Sequence, residues 1–227
     1  GVSKSYGPVA SYIPGASKDV TVYEKNLEKA REELKKSKYY DELDKYVVEL
    51  HYCAEVPDEE KVAMIFAESV KELDPRINVK LVKTPWLTMV EELSNVNSTP
   101  NIVALLPCPV YAEAGSVLHI KFHSDAAASC YSANWLMNKT IDQMIEDALA
   151  TVDEAERFKK YERIQQILSD MCLAIQVYDF AMLVPYQSYY VTWPAGEGKP
   201  PYDVAYGYEC RFIEVFPEKR LELLGGG

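Results

Sequence analysis

The sequence predicts an α/β fold, a mostly parallel sheet flanked by helices. Three observations carry this. Apolar strands and amphipathic helices alternate β-α-β-α-β between Tyr46 and Leu106. Their short connections favour parallel pairing, with the crossover helices on the sheet faces. Two further helices with apolar stripes follow over residues 140–175. At 227 residues, 48% hydrophobic and 26% charged, the chain suits one large domain or two small ones and can bury a sizeable core.

Residues 1–20 have no hydrophobic period and several breakers, so they read as an extended lead-in segment. A polar, Lys/Glu-laced helix is expected from Glu24 to about Lys38. Tyr46–Cys53 (YVVELHYC) is β-branched and aromatic, hence a strand. Pro57 takes a first helical position and is followed by acids suited to the positive end of the helix. In that helix Val62, Ile65, Phe66, Val70 and Leu73 form one stripe, and Asp74-Pro75 stops it. Ile77–Val82 alternates as a second strand, and Trp86–Leu93 is a short helix. Asn101–Leu106 (NIVALL) is a third strand, apolar enough to be central. A proline-punctuated loop, LPCPVYAEAG, leads to a short helix around Val117–Phe122. Thr140–Ala150 carries Ile141, Met144, Ile145 and Ala148 on one side. Thr151 or Asp153 caps a long helix with the stripe Phe158, Tyr161, Ile164, Leu168, Met171 and Ile175. Phe180–Val191 reads as a strand, and residues 194–227 are irregular, rich in proline and tyrosine.

Composition excludes several functions. The net charge of −11 argues against nucleic acid, whose phosphates need clustered cations, and against anionic membrane surfaces. No apolar run reaches the length of a membrane span, and Gly1 opens no signal peptide, so a soluble piece with a trimmed start is expected. Nothing between Gly15 and Gly115 is glycine, which leaves no phosphate-cradling loop there. The five cysteines (Cys53, Cys108, Cys130, Cys172, Cys210) contain no CxxC pair, so no zinc ribbon is expected. Buried inert thiols are favoured over disulfides, with Cys172 on the apolar side of its helix and Cys53 ending its strand.

Three stretches then bring a family into view. They are GPVASYIPG at residues 7–15, PDEEKVAMIFAESVKELDPRINV at 57–79, and 139–178, which carries Asp142, Ala148, Asp153, Arg157, Tyr161, Gln165 and Leu168 at fixed spacing. In this order they resemble the C-terminal part of extracellular solute-binding proteins of ABC importers, the oligopeptide/dipeptide/nickel class. The resemblance covers residues 7–192. It implies the C-terminal lobe of a two-lobed type II periplasmic-binding-protein fold, with residues 1–20 as linker, 21–192 as the α/β lobe, and 193–227 packing toward an N-terminal lobe. Tyr178, Tyr186, Tyr189, Tyr190, Tyr202, Tyr206 and Tyr208 would then face that lobe, or are ordinary amphipathic surface. The resemblance further implies no enzyme activity, no cofactor, an extracytoplasmic location with a membrane anchor, a permease partner, and a peptide-like or oligosaccharide-like solute.

Cleft loops follow the carboxyl ends of parallel strands. The loop after NIVALL offers Cys108, Tyr111 and Glu113. Peptide-binding relatives carry an aspartate there for the ligand's amino terminus. Here Glu113 is the acid in the loop, either a substitute anchor or a solvated carboxylate. Tyr131, Asn134 and Trp135 follow, aromatic faces beside an amide that suit a sugar ring or a peptide side chain, with core packing of Trp135 the competing reading. Trp86 and His51 read as core residues. An alternative is a self-contained metal-binding enzyme or sensor using His119 and His123, which share a helix face, with Asp125 and Cys130 downstream. Two histidines without the Glu of HExxH make an incomplete ligand set, so no metal is assigned.

Overall fold

The computed structural model describes residues 2–180, 185–198 and 212–225. The chain divides into two compact units. The first comprises residues 1–20, 108–118 and 148–227, the second 21–107 and 119–147.

The second unit is built on a three-stranded parallel sheet of order β3-β2-β4, with β2 at Val47–Cys53, β3 at Asn78–Thr84 and β4 at Ile102–Ala104. Leu50 faces Leu81 on one side and Ile102 on the other. Period-2 alternation gives each face its own core. Leu50 and Tyr52 pack with Ala63 and with Phe66, Val79, Leu81, Ile102 and Ala104. Cys53 packs with Met89 and Leu93, alongside Trp86, Val103, Leu105 and Cys130. The first cluster seats α2 (Pro57–Leu73) and the second seats α3 (Trp86–Leu93).

Two expectations change here. NIVALL is not the central strand. β2 is central and β4 lies at the end of the sheet, shortened to three residues. The polar positions of β2 are matched by partners: Lys80 Nζ lies 2.7 Å from Glu49 Oε1, and His51 Nδ1 lies 2.9 Å from Glu92 Oε2. The buried stripe of α2 is also offset, centred on Ala63 and Ala67 beside Glu59, while Ile65 is 67% exposed. Alanines let the helix approach the sheet closely, and a stripe counted from large side chains overlooks them.

Before the sheet, α1 (Leu27–Lys35) is shorter than expected, its start set by Asn26, whose side chain accepts the Lys29 N–H. Beyond the sheet come α4 (Ala114–Phe122) and α5 (Lys139–Ala150), the latter with Ile141, Ile145 and Ala148 buried.

The first unit pairs β1 (Val2–Lys4) antiparallel with β5 (Tyr178–Phe180), so the lead-in segment begins in a sheet. Its principal helix is α6 (Glu154–Asp170), capped by Asp153, whose side chain accepts the Glu156 N–H. Tyr161, Ile164, Gln165 and Leu168 are buried. The helix ends before Met171 and Ile175, which are exposed. Cys172 adopts a φ of 51° just past the cap and is exposed, so it is not on an apolar helix face. Left-handed backbone at a helix C-terminus stops the stripe abruptly.

The expected strand Phe180–Val191 is not continuous. Among the described residues β5 is Tyr178–Phe180, residues 185–187 are not strand, residues 188–190 turn, and β6 is Val191–Thr192, paired with β7 (Glu214–Val215) ahead of α7 (Pro217–Leu223). Pro185 lies in that run and supplies no ladder donor. Residues 181–184, Tyr202, Tyr206, Tyr208 and Cys210 lie outside the described residues.

Candidate functional site

In the first unit the loop of residues 108–113 wraps the buried hydroxyl of Ser116, which accepts the N–H groups of Val110 at 2.8 Å and Tyr111 at 3.4 Å. This leaves Tyr111 44% exposed at the tip. Glu113 turns inward. Arg157 Nε donates to its Oε1 at 2.9 Å and Nη2 to its Oε2 at 3.1 Å. The Tyr161 hydroxyl donates to Oε1 at 2.7 Å. Burial, then the neighbouring carboxylate, pushes the Tyr161 phenol well above its ordinary range. Burial likewise raises the Cys108 thiol. The Tyr12 phenol is raised by burial, then by Asp179 and Cys108. Asp179 is itself buried, and its Oδ2 accepts the Ser11 N–H at 2.7 Å.

In the second unit the carboxyl ends of the strands are gathered by two acids, Glu59, read from sequence only as a helix-dipole residue, and Glu55, which sequence reading passed over. Glu59, 7% exposed, accepts the Cys53 N–H at 2.8 Å and the Leu106 N–H at 3.0 Å, joining the ends of β2 and β4. Burial holds its carboxyl above the usual range against the pull of those two amides. Glu55 Oε2 accepts the Cys53 thiol at 3.1 Å and the Trp86 N–H at 3.0 Å. An acid shortly after a strand and at the third helical position was the available signal for Glu59.

The segment 130–135 also lies in this unit. Asn134 Nδ2 donates to Lys121 O at 2.9 Å, and its Oδ1 accepts the Leu136 N–H at 3.0 Å. Trp135 has a left-handed φ of 50°, and its indole N–H donates to Thr99 Oγ1 at 2.9 Å. Tyr131 is half-buried beside them. Burial pulls the Lys121 ammonium down to about 8. Of the sequence-derived candidates, Cys108, Tyr111 and Glu113 thus belong to one unit, and Tyr131, Asn134 and Trp135 to the other.

His119 and His123 do share a face, their rings stacked at 4.8 Å. His123 Nδ1 accepts the Asp125 N–H at 3.1 Å, and its Nε2 lies 3.3 Å from Glu146 Oε1. Among the described residues no three His, Cys, Asp or Glu side chains are placed to hold a metal ion. The metal-enzyme alternative therefore finds no support. His51 and Trp86 are packed in the core as expected, although His51 Nε2 has no hydrogen-bond partner among the described residues. Cys53, Cys108, Cys130 and Cys172 are free thiols.

No protein-family profile matches the sequence. No curated protein matches it either. Solved structures do. Haemophilus influenzae OppA in complex with RPPGFSPFR superposes with a TM-score of 0.68 at 18% identity, covering 95% of this chain and 41% of that one. The Helicobacter pylori ABC transporter-associated periplasmic binding protein DppA, in complex with the peptide STSA, gives 0.67 at 17%, covering 78% and 33%. The Escherichia coli murein tripeptide binding protein MppA gives 0.64 at 17%, covering 95% and 40%. The chain has the α/β fold of type II periplasmic binding proteins, as the resemblance implied, and spans about two fifths or less of the length of these structures.

Proposed function

We propose that this chain is one lobe of an extracytoplasmic solute-binding receptor that delivers a short peptide to an ABC permease and does not transform it. The supporting observation is the fold shared over 95% of the chain with a peptide-bound structure. A peptide is favoured over an oligosaccharide because the structures sharing the fold include peptide complexes. The inward acids Glu59 and Glu113 are tied to backbone amides or to Arg157 and Tyr161, so on this reading they hold loops in place and do not anchor the solute's charge. On this reading, within the first unit Tyr111 offers an aromatic face and Cys108 lines the loop rim, on backbone shaped by Glu113. Within the second, Tyr131 and Trp135 offer aromatic faces on backbone shaped by Asn134. An N-terminal lobe of the same protein supplies the opposing contacts, and the full receptor is membrane-anchored. No helix among the described residues is long and apolar enough to cross a membrane.

Calorimetric titration with STSA, RPPGFSPFR and maltotriose tests this. The reading expects weak binding of a peptide by this chain, with Kd on the order of 1 mM or about −4 kcal/mol, and none of maltotriose. Binding of the sugar with no response to either peptide would overturn the solute assignment.

A further inference from the structure

α6 carries a polar stripe inside an apolar one. Arg157, Tyr161 and Gln165 are spaced four apart and so lie one above another on the helix. Tyr161 and Gln165 are fully buried, where polar groups require partners. Their partners lie on two different segments. Arg157 and Tyr161 take Glu113, immediately before α4. Gln165 takes the lead-in segment with both ends of its amide: Nε2 donates to Gly15 O at 2.9 Å, and Oε1 accepts the Ser17 N–H at 3.1 Å. The two segments are joined directly as well, Ala114 N–H donating to Pro14 O at 2.8 Å.

The packing leaves no slack around this arrangement. Gly15 has φ +82°, and a Cβ there would sit 3.0 Å from the Tyr161 ring and 3.1 Å from Ala114 Cβ. A Cβ on Gly115 would run into the Tyr161 hydroxyl. Both glycines let backbone close on the phenol. Bidentate Arg–carboxylate pairing adds direction to charge, and at 15% and 23% side-chain exposure this pair is largely withdrawn from solvent screening.

We infer that Glu113, Arg157, Tyr161 and Gln165 form a buckle of positioning residues that fixes the loop of residues 108–113 against α6 and so sets how Cys108 and Tyr111 are presented to a solute. The inference rests on the proposed ligand-facing role of that loop, but the buckle itself is testable without any ligand. Glu113 is then a strut and not a charge anchor. The spacing of arginine, tyrosine and glutamine along α6 finds its physical reason in the two segments it joins.

Iodoacetamide alkylation of the intact folded chain, followed by peptide mass spectrometry, reads the loop through Cys108. Cys53, buried in the other unit, reports opening of that unit. The far-ultraviolet circular dichroism and urea midpoint of each variant report loss of the first unit, and exposed Cys172 sets the fast limit. Releasing the loop exposes the Cys108 thiol and removes the burial that raises its pKa, so both effects speed the reaction. Glu113→Gln should accelerate Cys108 alkylation about tenfold with Cys53 unchanged, since it weakens the charge-assisted hydrogen bonds from Arg157 and removes a charged acceptor from Tyr161. Tyr161→Phe, which keeps the ring and removes one bond, should give about threefold. Arg157→Lys should rescue part of the hold that Arg157→Met loses. Should Glu113→Gln fail to fold, Tyr161→Phe carries the test alone. Cys108 rates equal to those of the unmodified chain, or rising only in step with Cys53, would overturn the buckle. Failure to bind peptides would instead count against the proposed function and leave these rates as expected.

Discussion

Glu59 and Glu113 do the same job in the two units with opposite partners. Each sits at the start of a helix and closes the backbone that leads there. Glu59 does so by accepting two main-chain N–H groups, Glu113 by accepting side-chain donors from a helix 44 residues away in sequence. A carboxylate capped by amides alone has no countercharge beside it, and burial pushes its proton affinity up. A carboxylate clasped by guanidinium has its charge answered. The first arrangement joins strand ends in a core, and the second holds a loop that a helix can release.

The comparison breaks most easily at Glu59. Glu59→Ala strands two buried amide donors, so urea denaturation should show a loss of about 3 kcal/mol. Glu113→Ala should cost about 2 kcal/mol in the same assay, because Arg157 keeps bonds to the carbonyls of Thr151 and Val152. An equal or larger loss at Glu113 would reverse the ranking of the two sites.

Next in size is the α2 packing. Ala63→Leu should cost about 1–3 kcal/mol by overfilling the helix–sheet contact. Ile65→Lys should stay within about 0.5 kcal/mol. A large loss at Ile65 would restore the stripe that periodicity alone indicates.

The smallest effect is on pH. Because Glu59 has a raised pKa when folded, the folded state holds more protons than the unfolded chain between the ordinary carboxylate pKa of about 4.3 and the raised value. Its contribution to stability is therefore present at acid pH, falls as pH rises through that window, and is flat above it. The difference in urea midpoint between the native chain and Glu59→Gln, followed from pH 4 to 8, should drift in that direction. Asp74 and Asp142, whose pKa values are lowered, act in the opposite sense and are common to both proteins.

Much of the fold was legible because it repeats locally. Helices α2, α3, α5 and α6 announce themselves by stripe, proline and cap, and the β-α-β order fixes parallel pairing. Illegible features depend on partners distant in sequence. The central place of β2 depends on partners such as Lys80 and Glu92, which answer its Glu49 and His51 from distant positions. Glu113 read either as a substitute anchor or as a solvated carboxylate, because nothing nearby in sequence shows that Arg157 and Tyr161 reach it. Cys172 looked buried because a stripe does not reveal where left-handed backbone ends a helix. The loop holding Cys108 and Tyr111, and the segment of Tyr131, Asn134 and Trp135, were located by their position after strands and helices, and their internal bonds emerged only in three dimensions.

The most direct measurement is an amide NMR titration of this chain with RPPGFSPFR. The account predicts saturable shifts concentrated at residues 108–113 and 131–135, with α2 and α1 silent. Shifts confined to the outer faces of those helices, with both segments unmoved, would contradict it.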